Sequence, residues 1–74
     1  MSSLRSQIKE KQAILREIYG GVMSLTDLRK ELGSTKEYAR EWARERNIGF
    51  QTGARVKYET DEVAKAIVCI RGMY

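Results

Sequence analysis

Between Asn47 and Glu59 the chain reads NIGFQTGARVKYE, and this stretch limits the possible folds more than any other. Outside it the sequence is charged, dotted with Ala and Leu, and free of proline, the pattern of a run of helices. Here two glycines, Gly49 and Gly53, bracket a small loop, and an alternating run from Arg55 to Tyr58 follows. Alternation of period two is the signature of a strand with one covered face. The expectation is a hairpin: Ile48 and Phe50 in a short first strand, Gln51 to Ala54 turning, and Arg55 to Tyr58 returning. Gly53 supplies the positive φ that a tight turn demands. Phe50, Val56 and Tyr58 are expected to close over the helices, leaving Arg55 and Lys57 in solvent. The fold class is therefore mainly α with one small β-hairpin.

Four helices are expected around that hairpin. Residues 3–19 place Leu4, Ile8, Leu15 and Ile18 on one stripe, with Ile14 beside it and Lys11 interrupting; Ser3 is the N-cap and Gly20-Gly21 the end. This helix is expected to dock on the core, with a dimerisation helix or a basic arm as the alternatives. Residues 22–33 hold a second helix with Leu25, Leu28 and Leu32 buried. Its start is Ser24, at capping-box spacing to Asp27, or Thr26, and Gly33 stops it. A third helix, capped by Ser34 or Thr35, runs to about Arg46. It turns Ala39, Trp42 and Ala43 inward and Lys36, Glu37, Arg40, Glu41 and Arg44 outward. A fourth is capped by Thr60, carries Asp61 and Glu62 where the helix dipole favours them, and buries Val63, Ala66, Ile67, Ile70 and Tyr74.

Seventy-four residues allow one domain, 1–74, with a small core. The net charge is +4, and the surplus is local. Residues 34–58 carry Lys36, Arg40, Arg44, Arg46, Arg55 and Lys57 against Glu37, Glu41 and Glu45, whereas residues 59–74 lean acidic. Such a patch points to a polyanionic partner. Cys69 is the only cysteine and histidine is absent, so neither an internal disulfide nor a Cys/His metal site can be assembled, and Cys69 is expected to pack as a small hydrophobe. No cofactor is expected. No apolar run approaches the ~18 residues of a membrane span, nor does the N-terminus hold an apolar signal-peptide core. A reducing, cytoplasmic setting fits. The inventory argues against an enzyme: it holds no histidine base, no carboxylate pair suited to a pocket and no phosphate-binding glycine loop.

A short Gly-containing link between the second and third helices forces a sharp turn, and the order helix, turn, helix, basic hairpin, helix follows. In this order LTDLRKELGSTKEYAREWARERN and GFQTGARVKYETDEVAKAI resemble the excisionase-type and MerR-like winged helix-turn-helix DNA-binding domains. The matching residues are Leu25-Thr26, Leu32-Gly33, Thr35, Trp42, Gly53, Arg55, Tyr58 and Asp61. The likeness covers residues 23–70, and AREWARERNIGFQTGARVKY is particularly similar to the excisionases of conjugative transposons. The helix at residues 3–19 departs from the smallest members. The resemblance implies a sequence-specific DNA-binding protein of a mobile element, a recombination directionality factor that binds and bends duplex DNA beside an integrase or other recombinase.

The residues support a DNA contact independently. A helix fits the major groove, and Lys36, Arg40 and Arg44 at i, i+4, i+8 form nearly one line along the third helix. Arg40 and Arg44 can fork onto guanine edges, while Lys36 suits a phosphate. Thr35 stands at the helix start. Glu37 can accept from a cytosine amine, although pairing on a solvated face, Glu37 with Arg40 or Glu41 with Arg44, is the preferred reading. Tyr38 either packs partly beside Trp42 or bonds a phosphate through its hydroxyl. In the hairpin, or wing, Arg55 suits a narrow minor groove. Lys57 suits a phosphate or merely solubilises the strand, and Gln51 and Thr52 can donate to phosphates. Alternatives are a small transcriptional regulator, a plasmid or conjugation accessory protein, and, in another class, a protein-interaction module. Homo-oligomers through the first helix or on DNA also fit.

Overall fold

The computed structural model describes residues 3–71. Its elements in chain order are α1 (Leu4–Tyr19), β1 (Val22–Met23), α2 (Leu25–Leu32), α3 (Lys36–Glu45), β2 (Phe50–Thr52), β3 (Arg55–Glu59) and α4 (Thr60–Arg71). The chain is mainly helical, with a three-stranded antiparallel sheet in the order β1-β3-β2.

Local sequence explains most boundaries. Ser3 caps α1 by accepting from the Ser6 amide at 3.1 Å. At α2, Ser24 Oγ accepts from the Asp27 amide at 3.1 Å and Asp27 Oδ2 accepts from the Ser24 amide at 3.2 Å, a reciprocal capping box. Ser24 rather than Thr26 is thus the cap. Val22 and Met23, which precede the cap and for which the sequence predicts no strand, form β1 by pairing with Glu59 and Tyr58. The α2 end is a Schellman motif: left-handed Gly33 donates to Lys30 O at 3.2 Å and Ser34 to Arg29 O at 3.0 Å. Thr35 then caps α3, its hydroxyl accepting from the Tyr38 amide. A second Schellman motif ends α3, with Asn47 in the left-handed region at φ 57° donating to Arg44 O and Ile48 donating to Ala43 O.

The hairpin differs in detail from its expectation. The first strand is Phe50–Thr52, and the turn is only Gly53-Ala54, with Thr52 opposite Arg55. Gly53 has φ 63° and Ala54 a negative φ, the sign pattern of a type II′ turn, which suits the twist of a two-residue hairpin. Phe50 pairs with Lys57 and Gln51 with Val56. Directly paired residues share a face, so Phe50 lies with Lys57, on the side away from Tyr58. Phe50 and Val56, expected to cover the core, are 37% and 46% exposed; Tyr58 alone does so, at 3%. Arg55 is exposed as expected, and Lys57 is half-buried. Gly49 holds φ 126° against the Tyr58 ring, and a Cβ there would sit 3.2 Å from that ring.

The core gathers Leu15 of α1, Met23 of β1, Leu28 of α2, Ala39, Trp42 and Ala43 of α3, Ile48, Tyr58, and Val63, Ala64 and Ile67 of α4. Leu25 and Leu32 pack at its margin. Helix α4 buries more than one stripe: Ala64 and Val68 are covered as well as Val63 and Ile67, since α4 meets α1 as well as the rest of the domain. Ala66 and Ile70 are half-buried, as is Cys69, and the expected Tyr74 contact lies outside the described residues. Thr60 is not seen to cap α4. Its buried hydroxyl makes no hydrogen bond among the described residues, and its amide donates to Gly21 O at 3.1 Å, extending the β1–β3 ladder.

Helix α1 is docked. Leu15 is fully buried and Ile8, Gln12 and Tyr19 are partly so. Gln12 donates to Asp61 O at 3.2 Å, Arg16 pairs with Asp61 at 3.1 Å, and Lys11 pairs with Glu31 at 3.2 Å. Tyr19 donates to the other Glu31 oxygen at 3.2 Å. The buried seam therefore runs Ile8, Gln12, Leu15, Tyr19. Leu4 and Ile18, placed on the stripe from spacing alone, are largely exposed, and so is Ile14. Ile18 falls on the other flank of Leu15 from Tyr19, at 100° per residue, and the larger aromatic takes the seam. Among the described residues no helix is long and apolar enough to cross a membrane.

Candidate functional site

Burial of Ala39, Trp42 and Ala43 fixes the rotation of α3, so that Lys36, Glu37, Tyr38, Arg40, Glu41 and Arg44 all stand on its exposed side. Tyr38 is 60% exposed and stands outside the hydrophobic core cluster. Trp42 sits instead under Arg46, whose guanidinium lies 4.6 Å from the ring centroid and donates to Trp42 O at 2.9 Å. Arg46 also approaches Glu45 at 3.8 Å. One cation of the basic segment is thereby committed to holding the end of α3.

Arg44 pairs with Glu41 at 3.3 Å, one of the two intrahelical pairs expected, and both groups are largely in solvent. Such a pair contributes only a few tenths of a kcal/mol and yields readily to a better anion. Lys36, Arg40, Arg55 and Lys57 make no ion pair among the described residues.

Two adjoining recesses separate α3 from the hairpin. One, of about 420 Å³, is lined by Arg40, Arg55, Val56, Lys57 and Tyr58 together with Ser24, Leu25 and Thr26 at the start of α2. The other, of about 320 Å³, is lined by Arg40, Arg44, Gln51, Val56 and Tyr58, with Ile48, Gly49 and Phe50. Arg40 borders both. Of the residues expected from sequence, Arg40, Arg44, Gln51, Arg55 and Lys57 are thus brought to one crevice. Thr35, Lys36, Glu37 and Tyr38 lie on the first turn of α3 or at its cap, exposed but outside the recesses, and Thr52 is at the hairpin tip. Gln51 Nε2 donates to Gly53 O at 3.3 Å and Thr52 Oγ1 to Arg55 O at 3.5 Å, so both tip side chains fold back on the turn.

Sequence reasoning missed the part played by Ser24, Leu25, Thr26 and Val56. The first three reach the crevice because β1 pairs with β3, Met23 opposite Tyr58, and so carries the start of α2 beside the hairpin. A two-residue strand leaves no periodicity to read. Val56 was assigned to the core by its alternation with Tyr58, but it lies nearer the hairpin tip and reaches the recesses instead. Chemically, Arg40 and Arg44 of α3 stand beside the Val56 and Tyr58 face of the hairpin, while Arg55 and Lys57 alternate with that face and line only the recess beside the start of α2. No protein-family model, curated protein or solved structure matches the chain.

Proposed function

We propose that this chain is a winged helix-turn-helix DNA-binding protein, with α2 and α3 as the helix-turn-helix, α3 as the recognition helix and the β2–β3 hairpin as the wing. The observation that carries this reading is the shared crevice of α3 and the hairpin, bordered by Arg40, Arg55 and Lys57 without ion-pair partners among the described residues. Lys11 and Arg16 hold α1 through ion pairs, whereas these three are open to an external anion. Arg40 and Arg44 face base edges in the major groove, Lys36 and Lys57 take phosphates, and Arg55 approaches the adjacent minor groove. The resemblance to conjugative-transposon excisionases extends the proposal to a recombination directionality factor, acting beside an integrase by bending DNA. One small module buries only ~600–1,000 Å² of protein surface on DNA, so several copies on adjacent sites suit the role.

The test is a titration of the full chain against duplex DNA from its own locus at varied salt. Neutralisation of about three to four phosphates gives a log–log slope of roughly −3 to −4. Absent or salt-insensitive binding overturns the reading and favours a protein-interaction module. An in vitro excision reaction, with the adjacent recombinase and with or without this protein, then separates directionality control from transcriptional regulation.

A further inference from the structure

We propose that the outer face of α1, centred on Ile14 and Ile18, docks a cationic amphipathic helix of a partner protein. The proposal is independent of the DNA-binding reading, since no residue of this face borders the recesses between α3 and the hairpin.

Helix α1 gives one side to the core, through Ile8, Gln12, Leu15 and Tyr19. At 100° per residue, Gln7, Glu10, Ile14, Glu17 and Ile18 fall together in an arc of about 100°, centred roughly 140° from that seam. Ile14 is 47% exposed and Ile18 62%. Glu10, Ile14 and Ile18 form an i, i+4, i+8 row, the kind of ridge that packs into a groove of another helix. Beside it a shallow apolar recess of about 160 Å³ is lined by Gln7, Glu10, Lys11 and Ile14, with Val68 of α4. The recess offers a seat for one aliphatic side chain. Two exposed isoleucines one turn apart, next to a recess and rimmed by charge, have the make-up of a protein contact.

Charge identifies the occupant. Glu10 and Glu17 are exposed and make no ion pair among the described residues. The arc itself holds no cation, and Lys11 at its margin is engaged by Glu31 at 3.2 Å. Lys9 and Arg5 lie about 140° and 180° round the helix from Ile14. This face is therefore acidic on a chain whose net charge is +4. Such a rim repels DNA and anionic lipid alike. A second copy apposed through the same face supplies its own Glu10 and Glu17 and no free cation from the arc. A partner helix with an apolar stripe flanked by Lys or Arg satisfies ridge and rim together.

The probe is a library of random-sequence helices displayed on phage and selected against the full chain. The expected winners carry an apolar stripe flanked by Lys or Arg. The best of them, made as a synthetic peptide and titrated by fluorescence anisotropy, should lose about 10- to 100-fold in affinity on Ile14→Asp, the effect of one apolar contact. Ile18→Asp, at the more exposed position, should act in the same direction and guards against a folding defect at Ile14. Glu10→Lys combined with Glu17→Lys should cost about 2- to 20-fold. Duplex DNA affinity should change less than about 2-fold in Ile14→Asp, a surface substitution far from that crevice. Selection of no cationic amphipathic sequence, or of one whose affinity survives both aspartate substitutions, overturns the proposal and leaves DNA binding standing. A dimer seen by light scattering and abolished by Ile14→Asp assigns the face to a second copy and overturns it as well.

Discussion

The two sides of this domain use charge in opposite ways. Where α1 meets α4 and α2, Lys11, Arg16, Tyr19 and Gln12 each reach a partner, Glu31 or Asp61. Where α3 meets the hairpin, Arg40, Arg55 and Lys57 reach none among the described residues. On the first side polar groups register one helix against another. On the second, Arg40, Arg55 and Lys57 border one recess whose lining holds no carboxylate. The contrast teaches that the net charge of +4 is a poor guide to function, because cations such as Lys11 and Arg46 are structural.

The contrast can be broken most severely by removing one side. A chain starting at Val22 lacks Leu15, uncovers Ala64 and Val68, and loses both ion pairs of α1. In so small a domain this should abolish cooperative thermal unfolding followed by circular dichroism. A truncated chain that still unfolds cooperatively would make α1 an appendage, and light scattering would then test whether its exposed Ile14 and Ile18 serve a dimer. A smaller effect is expected at a shared core position. Leu28→Ala should lower the unfolding free energy by about 2–5 kcal/mol in urea titrations, while Arg40→Ala should change it by no more than about 0.5 kcal/mol. Equal destabilisation by the two would erase the distinction between the sides.

Binding sharpens the second side. Arg40→Ala should cost about 1–3 kcal/mol on a preferred duplex and less on unrelated ones, whereas Lys57→Ala should weaken all duplexes alike and reduce the salt slope by about one. Identical behaviour would refute the division between base and phosphate contacts. The smallest effect belongs to the first side and to alkaline pH. Burial, and then the Glu31 carboxylate that accepts its hydrogen bond, raise the Tyr19 pKa above the ordinary 10.0. The folded state therefore keeps the Tyr19 proton to higher pH than the unfolded chain does. Tyr19 contributes its stability below pH ~10 and loses it as pH rises through the folded pKa. Tyr19→Phe should be less stable at neutral pH and decline less on alkaline titration, read as thermal midpoints across pH 8–11; a parallel decline would remove the Tyr19–Glu31 bond from the account.

Much of the helical frame was legible because its signals are local. Ser24 with Asp27, Thr35, Gly33 and Gly53 each fix a backbone conformation within a few residues, and Ala39, Trp42 and Ala43 state the α3 inner face by spacing alone. What was illegible depends on partners distant in sequence. β1 exists only because Tyr58 and Glu59 return to meet it. The α1 seam passes through Tyr19 rather than Ile18, where Tyr19 meets Glu31 of α2, a partner twelve residues away. Val56 and Tyr58 have the same parity and hydrophobicity, but differ in how far each stands from the domain body. The cations of the crevice were legible as residues, and their freedom from ion pairs was not, since Arg40 and Arg46 read alike until Trp42 is seen to claim one of them.

Pairing of Val22 with Glu59, continued by the Thr60 amide on Gly21, has a topological consequence. The chain enters and leaves the segment containing α2, α3 and the hairpin at the same point, so that segment is a closed loop pinned at its neck, and α1 and α4 form the stem. The end of α1 and the base of the hairpin thus meet across one short ladder, Val22 with Glu59 and Gly21 O with the Thr60 amide, so the outer helix and the crevice share a single fixed anchor.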